Sequence, residues 1–508
     1  MVHTIAAKAS PQTNRIYNPG MFSARRGVST GLSSNRAGNC RSLCCRILLA
    51  LSITFALEAP PCWSLPVVQD SAVGMTSADR QKLRQALAAY DDGRSAEARP
   101  GLEDLLTRHP ANFQINEALG LIRAEAGDLV GALPLLEKAE HLQPGKPMAH
   151  ANLGVAYLKL MRPQQALIQL KIAARLDARD QQTQINLARA YLETSQPAKA
   201  AQTFAAAAAI APISADISHD RVVALLQSND LAGAKDVLDM LAPADRNDGT
   251  EALYGEVEER RGNYLDAERH FSEAAHLNPT EMNIHAWVVE LLRHFSWQPA
   301  IKVAEAGLER YPNSTGLKAA RGIGYYGDNR NKEAAADFSS LLDMDPENAM
   351  YAELLGRSCE FVSDSEATSC EKLQHFANQH PHNAEAGTYA AASLLHRSAE
   401  QRDNAEARTL LEHAIQVDPK LADAYYQLGV LDQEEMKWDQ STMPLEKAIE
   451  LRPYFAEAHY RLGRAYSHLG RRKEAAKEIE LQQQYAKEQK AAIDARLRSV
   501  TIFLAGQK

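Results

Sequence analysis

The stretch GIGYYG, from Gly322 to Gly327, has the G-x-G-x-x-G spacing of a dinucleotide-binding turn. In that turn the glycines let the backbone approach a pyrophosphate group at the N-terminus of a helix. The motif needs a strand immediately before it and a helix that opens within it. Whether these glycines could bind NAD or FAD therefore depends on the elements that surround them.

Other patterns that could support chemistry are incomplete. GVSTG, from Gly27 to Gly31, has the spacing of a nucleophile elbow, but no strand pattern precedes it. His270, His276, His285 and His294 are close in sequence but are not spaced as ligands on one helix face, so we interpret them as solvated or packed helix positions. The chain has no H-E-x-x-H, P-loop or C-x2-C sequence. We therefore predict no catalytic residue, no metal site and no cofactor.

The elements that must position these residues follow a repeat of 34 residues. Gly120, Gly154 and Ala188 are separated by this interval, and so are Gly429 and Gly463 near the end of the chain. A fixed period of this length is typical of a stacked array of small helical units.

The clearest unit, from Ala151 to Asp177, resembles the tetratricopeptide repeat (TPR). Its signature residues are Leu153, Gly154 and Tyr157 in the first predicted helix and Ala166, Leu170 and Ala173 in the second. The resemblance implies an all-α, right-handed superhelical solenoid of about twelve helix-turn-helix repeats. We assign residues 1–64 to a leader, 65–78 to a linker, 79–481 to the repeat array and 482–508 to a C-terminal capping helix and tail.

The repeat explains the glycine motif. Gly322 falls at the repeat position of Gly154, Tyr325 falls at that of Tyr157, and Phe338 falls where the second helix has a large apolar residue. The glycines are therefore predicted to lie in the first helix of a repeat, where small residues allow close packing, and not in a nucleotide-binding turn.

The N-terminal segment has the pattern of an export signal. Residues 1–57 contain seven basic and no acidic residues, and they end in the apolar run Ile47–Leu57. Eleven helical residues span only about 16 Å, too little for a bilayer core of about 30 Å. We predict a signal peptide cleaved after Ser64 and an exported, periplasmic or envelope-associated protein; a mitochondrial presequence is the alternative.

Charge excludes one class of partner. The full chain has a net charge of −8, and removal of residues 1–64 takes away seven basic residues and one acidic residue, which leaves −14. Such a surface disfavours nucleic acid. The mature chain is also predicted not to span a membrane.

Two of the six cysteines lie beyond the leader, at Cys359 and Cys370. They flank the predicted inter-helix turn of the ninth repeat almost symmetrically. Antiparallel helices joined at that turn would bring the two residues opposite each other, so we predict a disulfide in an oxidising compartment. Two buried free thiols are the alternative.

The resemblance implies a concave groove, lined by the first helices, that binds ligands. Repeat positions transfer this role to Val155, Leu158, Ile185, Arg189, Leu192, Val223, Leu226, Val289, Leu292 and Tyr326. A largely apolar stripe of this kind would suit an amphipathic helix or an extended segment of a partner protein. The alternative is that many of these residues belong to the core, because one helical step moves a residue between the two environments.

The implied function is that of a non-enzymatic scaffold for protein–protein interactions, expected in cell-envelope or secretion assemblies. An accessory subunit of envelope polysaccharide synthesis or export, with a glycan ligand, is the first alternative. A TPR protein associated with a glycosyltransferase is the second. A glycan groove would need clustered exposed aromatic residues, and an aromatic content of 6% argues against one.

Overall fold

The computed structural model describes residues 74–359, 362, 369–396 and 403–505. The leader and its cleavage site lie outside the described residues. Within the described part of the chain, the secondary structure consists of α-helices and short 3-10 turns with no strand, which confirms the all-α fold class. These residues divide into two compact units between Arg261 and Gly262.

The N-terminal unit contains the helices α1 (Ser77–Asp91), α2 (Ser95–Arg108), α3 (Phe113–Glu125), α4 (Leu129–Leu142), α5 (Pro147–Lys159), α6 (Pro163–Leu176), α7 (Gln181–Glu193), α8 (Pro197–Ile210), α9 (Ala215–Gln227), α10 (Leu231–Asp239) and α11 (Asp248–Arg261). Each helix in this unit packs against the next one along the chain. The result is a stack of helical hairpins, as the 34-residue period predicts.

The C-terminal unit contains α12 (Tyr264–Leu277), α13 (Glu281–Arg293), α14 (Trp297–Arg310), α15 (Thr315–Gly327), α16 (Asn331–Met344), α17 (Ala349–Cys359), α18 (Glu371–Gln379), α19 (Ala384–Leu395), α20 (Asn404–Val417), α21 (Ala422–Glu434), α22 (Thr442–Leu451), α23 (Ala456–His468) and α24 (Arg472–Ala505). Consecutive helices again pack on each other. The predicted boundary between array and capping helix, at residues 481 and 482, falls inside the continuous helix α24.

Recurring polar residues begin the helices. Asn112, Asp180 and Ser214 occupy one repeat position, immediately before α3, α7 and α9. Each side-chain oxygen accepts a hydrogen bond from the backbone N–H three residues later, at 3.1, 3.0 and 3.5 Å respectively. These caps satisfy donors that the first helical turn leaves unpaired.

The turn within each hairpin also recurs with the repeat. Gly127, Met161, Ser195 and Asn229 are 34 residues apart and have φ values of 82°, 57°, 58° and 64°. This left-handed conformation reverses the chain direction after the first helix of a hairpin. Only Gly127 is a glycine. At the other three residues the left-handed conformation is disfavoured by about 1–2 kcal/mol, and the packing of the hairpins offsets this cost.

Small residues at one position of the first helix allow close contact with the second. Five of these small residues are glycines. A Cβ atom added to any of them would lie 2.5–2.9 Å from the side chain sixteen residues later. The pairs are Gly120 with Leu136, Gly154 with Leu170, Gly322 with Phe338, Gly429 with Leu445 and Gly463 with Ile479.

The G-x-G-x-x-G stretch lies within α15 and follows α14, a helix. Besides the Gly322 contact, a Cβ atom on Gly324 would meet Ile301 at 2.9 Å, and one on Gly327 would meet Trp297 at 2.5 Å. The prediction that these glycines belong to a repeat helix is confirmed, and their positions are explained by packing.

A hydrogen bond between successive hairpins is a feature that the sequence analysis missed. The hydroxyl groups of Tyr157, Tyr325 and Tyr466 donate to the carboxylates of Glu137, Glu305 and Glu446, at 2.8, 2.7 and 2.6 Å. In every case the glutamate precedes the tyrosine by twenty residues and lies on the second helix of the preceding hairpin. That constant spacing is a signal from which the bond could have been predicted.

Candidate functional site

The first helices of neighbouring hairpins pack beside each other inside each unit. In the N-terminal unit α1, α3, α5, α7, α9 and α11 contact each other in succession. In the C-terminal unit α13 contacts α15, and α17, α19, α21 and α23 form a second succession. The surface of these helices, here called the first-helix face, is where the repeat resemblance places a partner.

Half of the predicted partner-binding residues are core residues instead. The side chains of Ile185, Leu192, Val223, Leu226 and Leu292 are at most 7% exposed. The first four pack in one hydrophobic cluster of the N-terminal unit, and Leu292 packs in a cluster of the C-terminal unit. The prediction of partner contact is therefore corrected for these five residues, because neighbouring helices cover them.

The other five predicted residues are half-buried and keep an accessible surface. Val155 and Leu158 lie on α5, and Arg189 lies on α7, which contacts α5 in the N-terminal unit. Val289 on α13 and Tyr326 on α15 lie in the C-terminal unit. Binding of a partner by these five residues remains a prediction.

Two cations on this face of the N-terminal unit differ in their surroundings. Arg189 Nε donates to Asp220 Oδ2 at 2.8 Å, which links α7 to α9. Lys159, the last residue of α5, is half-buried, and burial lowers the pKa of its ammonium group. The carboxylate of Glu125 attracts this ammonium group and opposes the shift, but no hydrogen bond or close ion pair of Lys159 is present among the described residues.

A buried carboxyl group among the first helices of the N-terminal unit was not predicted from the sequence. Glu117 on α3 is 1% exposed, and Asn152 Nδ2 on α5 donates to its Oε1 at 3.1 Å. Burial raises the pKa of Glu117 to about 7, although the hydrogen bond from Asn152 opposes this shift. No motif marks such a residue, because its environment is built by two successive repeats.

The first-helix face of the C-terminal unit has an aromatic and cationic character. Arg357 on α17 pairs with Glu353 one turn earlier, with Nη2 and Oε1 2.8 Å apart. Burial opposes the charged form of Arg357, but its charged neighbours, Glu353 among them, raise its pKa overall. Burial raises the pKa of Tyr389. No motif in the sequence marks Arg357 or Tyr389.

The structure also brings the two late cysteines together. Cys359 ends α17, Cys370 immediately precedes α18, and both are buried. Their Cα atoms are 5.8 Å apart, a separation that a disulfide requires. The bond itself remains a prediction, since it depends on the compartment in which the protein resides.

We expect peptide mapping of protein from an oxidising compartment to show Cys359 linked to Cys370. The Cys359→Ala/Cys370→Ala variant should lose about 2–3 kcal/mol of unfolding free energy, because the unfolded chain is no longer cross-linked. A reduced sample of the wild-type chain is the control. Alkylation of both thiols in the denatured, unreduced protein would contradict the prediction.

The repeat profile of one family matches three segments of the chain. The tetratricopeptide repeat family matches residues 83–147, 191–254 and 456–488. The first and third segments include the close-packing glycines Gly120 and Gly463, and the first and second include the turn residues Gly127, Ser195 and Asn229. The chain is a TPR protein. No curated protein has significant sequence similarity to this TPR chain over its length.

Several solved structures resemble the TPR chain at low similarity. Yeast Tom70 is 15% identical, with a TM-score of 0.35, and the alignment covers 84% of this chain and 95% of Tom70. The Cut9–Hcn1 hetero-tetramer of the APC/C gives 15% identity, a TM-score of 0.34 and coverages of 84% and 91%. Pseudomonas aeruginosa PilF is 17% identical, with a TM-score of 0.35, and covers 41% of this chain and 94% of PilF. Scores at this level support no conclusion about function.

None of the helices in the described ranges has the length and apolar character needed to cross a membrane.

Proposed function

We propose that this TPR protein is a non-catalytic scaffold that binds a segment of a partner protein on the first-helix face of its N-terminal unit. The observation that carries this proposal is the surface formed by Val155, Leu158 and Lys159 on α5. It combines two half-buried apolar side chains with a half-buried ammonium group that makes no hydrogen bond or close ion pair in the described part of the chain, although Glu125 attracts it from a distance.

This combination favours a protein segment for a physical reason. Covering the accessible parts of Val155 and Leu158 contributes about 25 cal/mol for each Å² of apolar surface removed from water. The partly desolvated ammonium group of Lys159 gains most from a carboxylate or carbonyl oxygen that replaces its lost water. An amphipathic helix or an extended segment can present an apolar side chain beside a hydrogen-bond acceptor.

The proposed cellular context is an envelope or secretion assembly, reached by export. The acid-free, basic segment and the short apolar run before Ser64 support this part of the proposal. Determination of the N-terminal residue of the mature protein, after fractionation of the host cells, tests it. A chain that retains residues 1–64 in the soluble interior of the cell would contradict export.

Affinity capture with the full-length chain tests the binding surface. The Val155→Ser/Leu158→Ser variant should lose partner proteins that the wild type captures, because its surface no longer offers apolar contacts. Ile168→Ser is a matched control, since Ile168 is 59% exposed on α6, the second helix of the same hairpin. Circular dichroism verifies that both variants are folded. Capture of the same proteins by all three chains would place the binding surface elsewhere.

A further inference from the structure

A cluster of hydrogen-bond donors lies at the surface of the C-terminal unit, on the first helix α23 and the turn that precedes α22. Tyr460, Arg464 and His468 follow each other at intervals of four on α23 and so share one side of this helix. Trp438 lies in the turn between α21 and α22. We call these four residues the donor cluster.

The four side chains contact each other through their rings and the guanidinium group. The imidazole of His468 stacks on the indole of Trp438, with centroids 3.7 Å apart and planes inclined by 8°. The guanidinium carbon of Arg464 lies 5.7 Å from the Trp438 ring centroid and 6.0 Å from that of Tyr460. Both separations are within the range of a cation–π contact.

The polar atoms of the donor cluster have no partner within the described residues. The guanidinium of Arg464, the indole N–H of Trp438, the hydroxyl of Tyr460 and the imidazole of His468 make no hydrogen bond or ion pair there. Nearby arginines differ: Arg452 binds Asp423, and Arg471 binds Glu474. Arg464 is thus a cation without a carboxylate partner in the part of the chain that the structure describes.

A positive charge surrounded by hydrogen-bond donors favours binding of an oxyanion. A guanidinium group presents donors in a planar fork that matches a carboxylate. The indole ring is already covered by the imidazole and the guanidinium, so it offers little open surface for stacking of a neutral sugar ring. All four residues can donate hydrogen bonds, and none of them carries a negative charge.

We propose that the donor cluster binds an acidic segment of a partner protein, with a carboxylate on Arg464. Two exposed apolar residues adjoin the cluster in sequence, Met436 at 69% and Leu469 at 36% exposure. They favour a segment in which an apolar side chain neighbours the acidic one. This inference rests on the proposed scaffold function and adds a second recognition surface to it, in the other unit.

Fluorescence anisotropy with the full-length chain tests this site. The probe is a labelled twelve-residue peptide of alternating glutamate and leucine, and the reference is the same peptide with glutamine in place of glutamate. We expect Arg464→Gln to weaken binding of the acidic peptide about tenfold or more, as loss of a charged hydrogen-bonded pair does. Arg472→Gln, which removes an exposed positive charge from the adjacent helix α24, should bind within about twofold of the wild type.

The controls separate this proposal from the preceding one. The Val155→Ser/Leu158→Ser variant should bind the acidic peptide like the wild type, because it alters only the N-terminal unit. Equal binding of the acidic peptide by wild type and Arg464→Gln would overturn the site. Equal binding of the glutamine peptide would overturn the role of the carboxylate. Binding of oligogalacturonate instead of the peptide, if lost in Arg464→Gln, would overturn a protein ligand in favour of an acidic glycan.

Discussion

Replacement of Gly154 by alanine is expected to destabilise the N-terminal unit by about 1–2 kcal/mol, although alanine is the better helix former. The new Cβ atom would lie 2.6 Å from Cγ of Leu170, which is fully buried and cannot move away without displacing its own neighbours. Overpacking of this kind exceeds the gain of about 0.5–1 kcal/mol that alanine brings to a helix. Urea unfolding followed by circular dichroism measures the change.

The Gly101→Ala variant is a control for which the opposite change in stability is expected. Gly101 also lies within a helix of the N-terminal unit, but a Cβ atom there would be 3.6 Å from the nearest side chain, an ordinary contact. Gly101→Ala should therefore stabilise the protein by about 0.5–1 kcal/mol. Similar stabilisation by both substitutions would show that the hairpin can widen at Gly154, and that the recurrent glycine is not a packing requirement.

Replacement of Glu117 by glutamine is expected to stabilise the protein by about 3 kcal/mol at pH 8 and to change its stability little near pH 4. The folded-state pKa of Glu117, about 7, lies above its ordinary value of 4.5. The stability associated with this raised pKa is fully present below pH 4.5 and is lost as the pH rises through 7, because the buried carboxyl group must then ionise. Glutamine keeps an oxygen that can accept the hydrogen bond from Asn152 and never ionises.

The unfolding free energies of wild type and Glu117→Gln, measured between pH 4 and 8, test this expectation. Glu273→Gln controls for the loss of one negative charge, since Glu273 is exposed on α12. A difference between wild type and Glu117→Gln that is independent of pH would show that ionisation of Glu117 does not determine it.

Much of the fold follows from features that recur at a fixed interval. Gly154 and Leu170 identify a hairpin because the first helix must have a small residue where the large residue of the second helix packs. The 34-residue repeat of such pairs shows this in the sequence. The same logic assigned the G-x-G-x-x-G stretch to a helix. The environment of Glu117 was not predictable in this way, because residues from two repeats bury it and each repeat has its own side chains there.

The sequence by itself determined the helical hairpins, their phase and the positions of the close-packing glycines, since these depend on residues repeated along the chain. Only the tertiary structure decided which first-helix residues are covered. Leu192 and Leu158 both lie in first helices, yet Leu192 is buried and Leu158 keeps an accessible surface. The two residues occupy the same repeat position, so the side of the helix does not distinguish them; the side chains of the neighbouring helices, which differ from repeat to repeat, do. The donor cluster also depends on the tertiary structure. Trp438 and His468 are separated by α22 in the sequence and come into contact only when the helices pack.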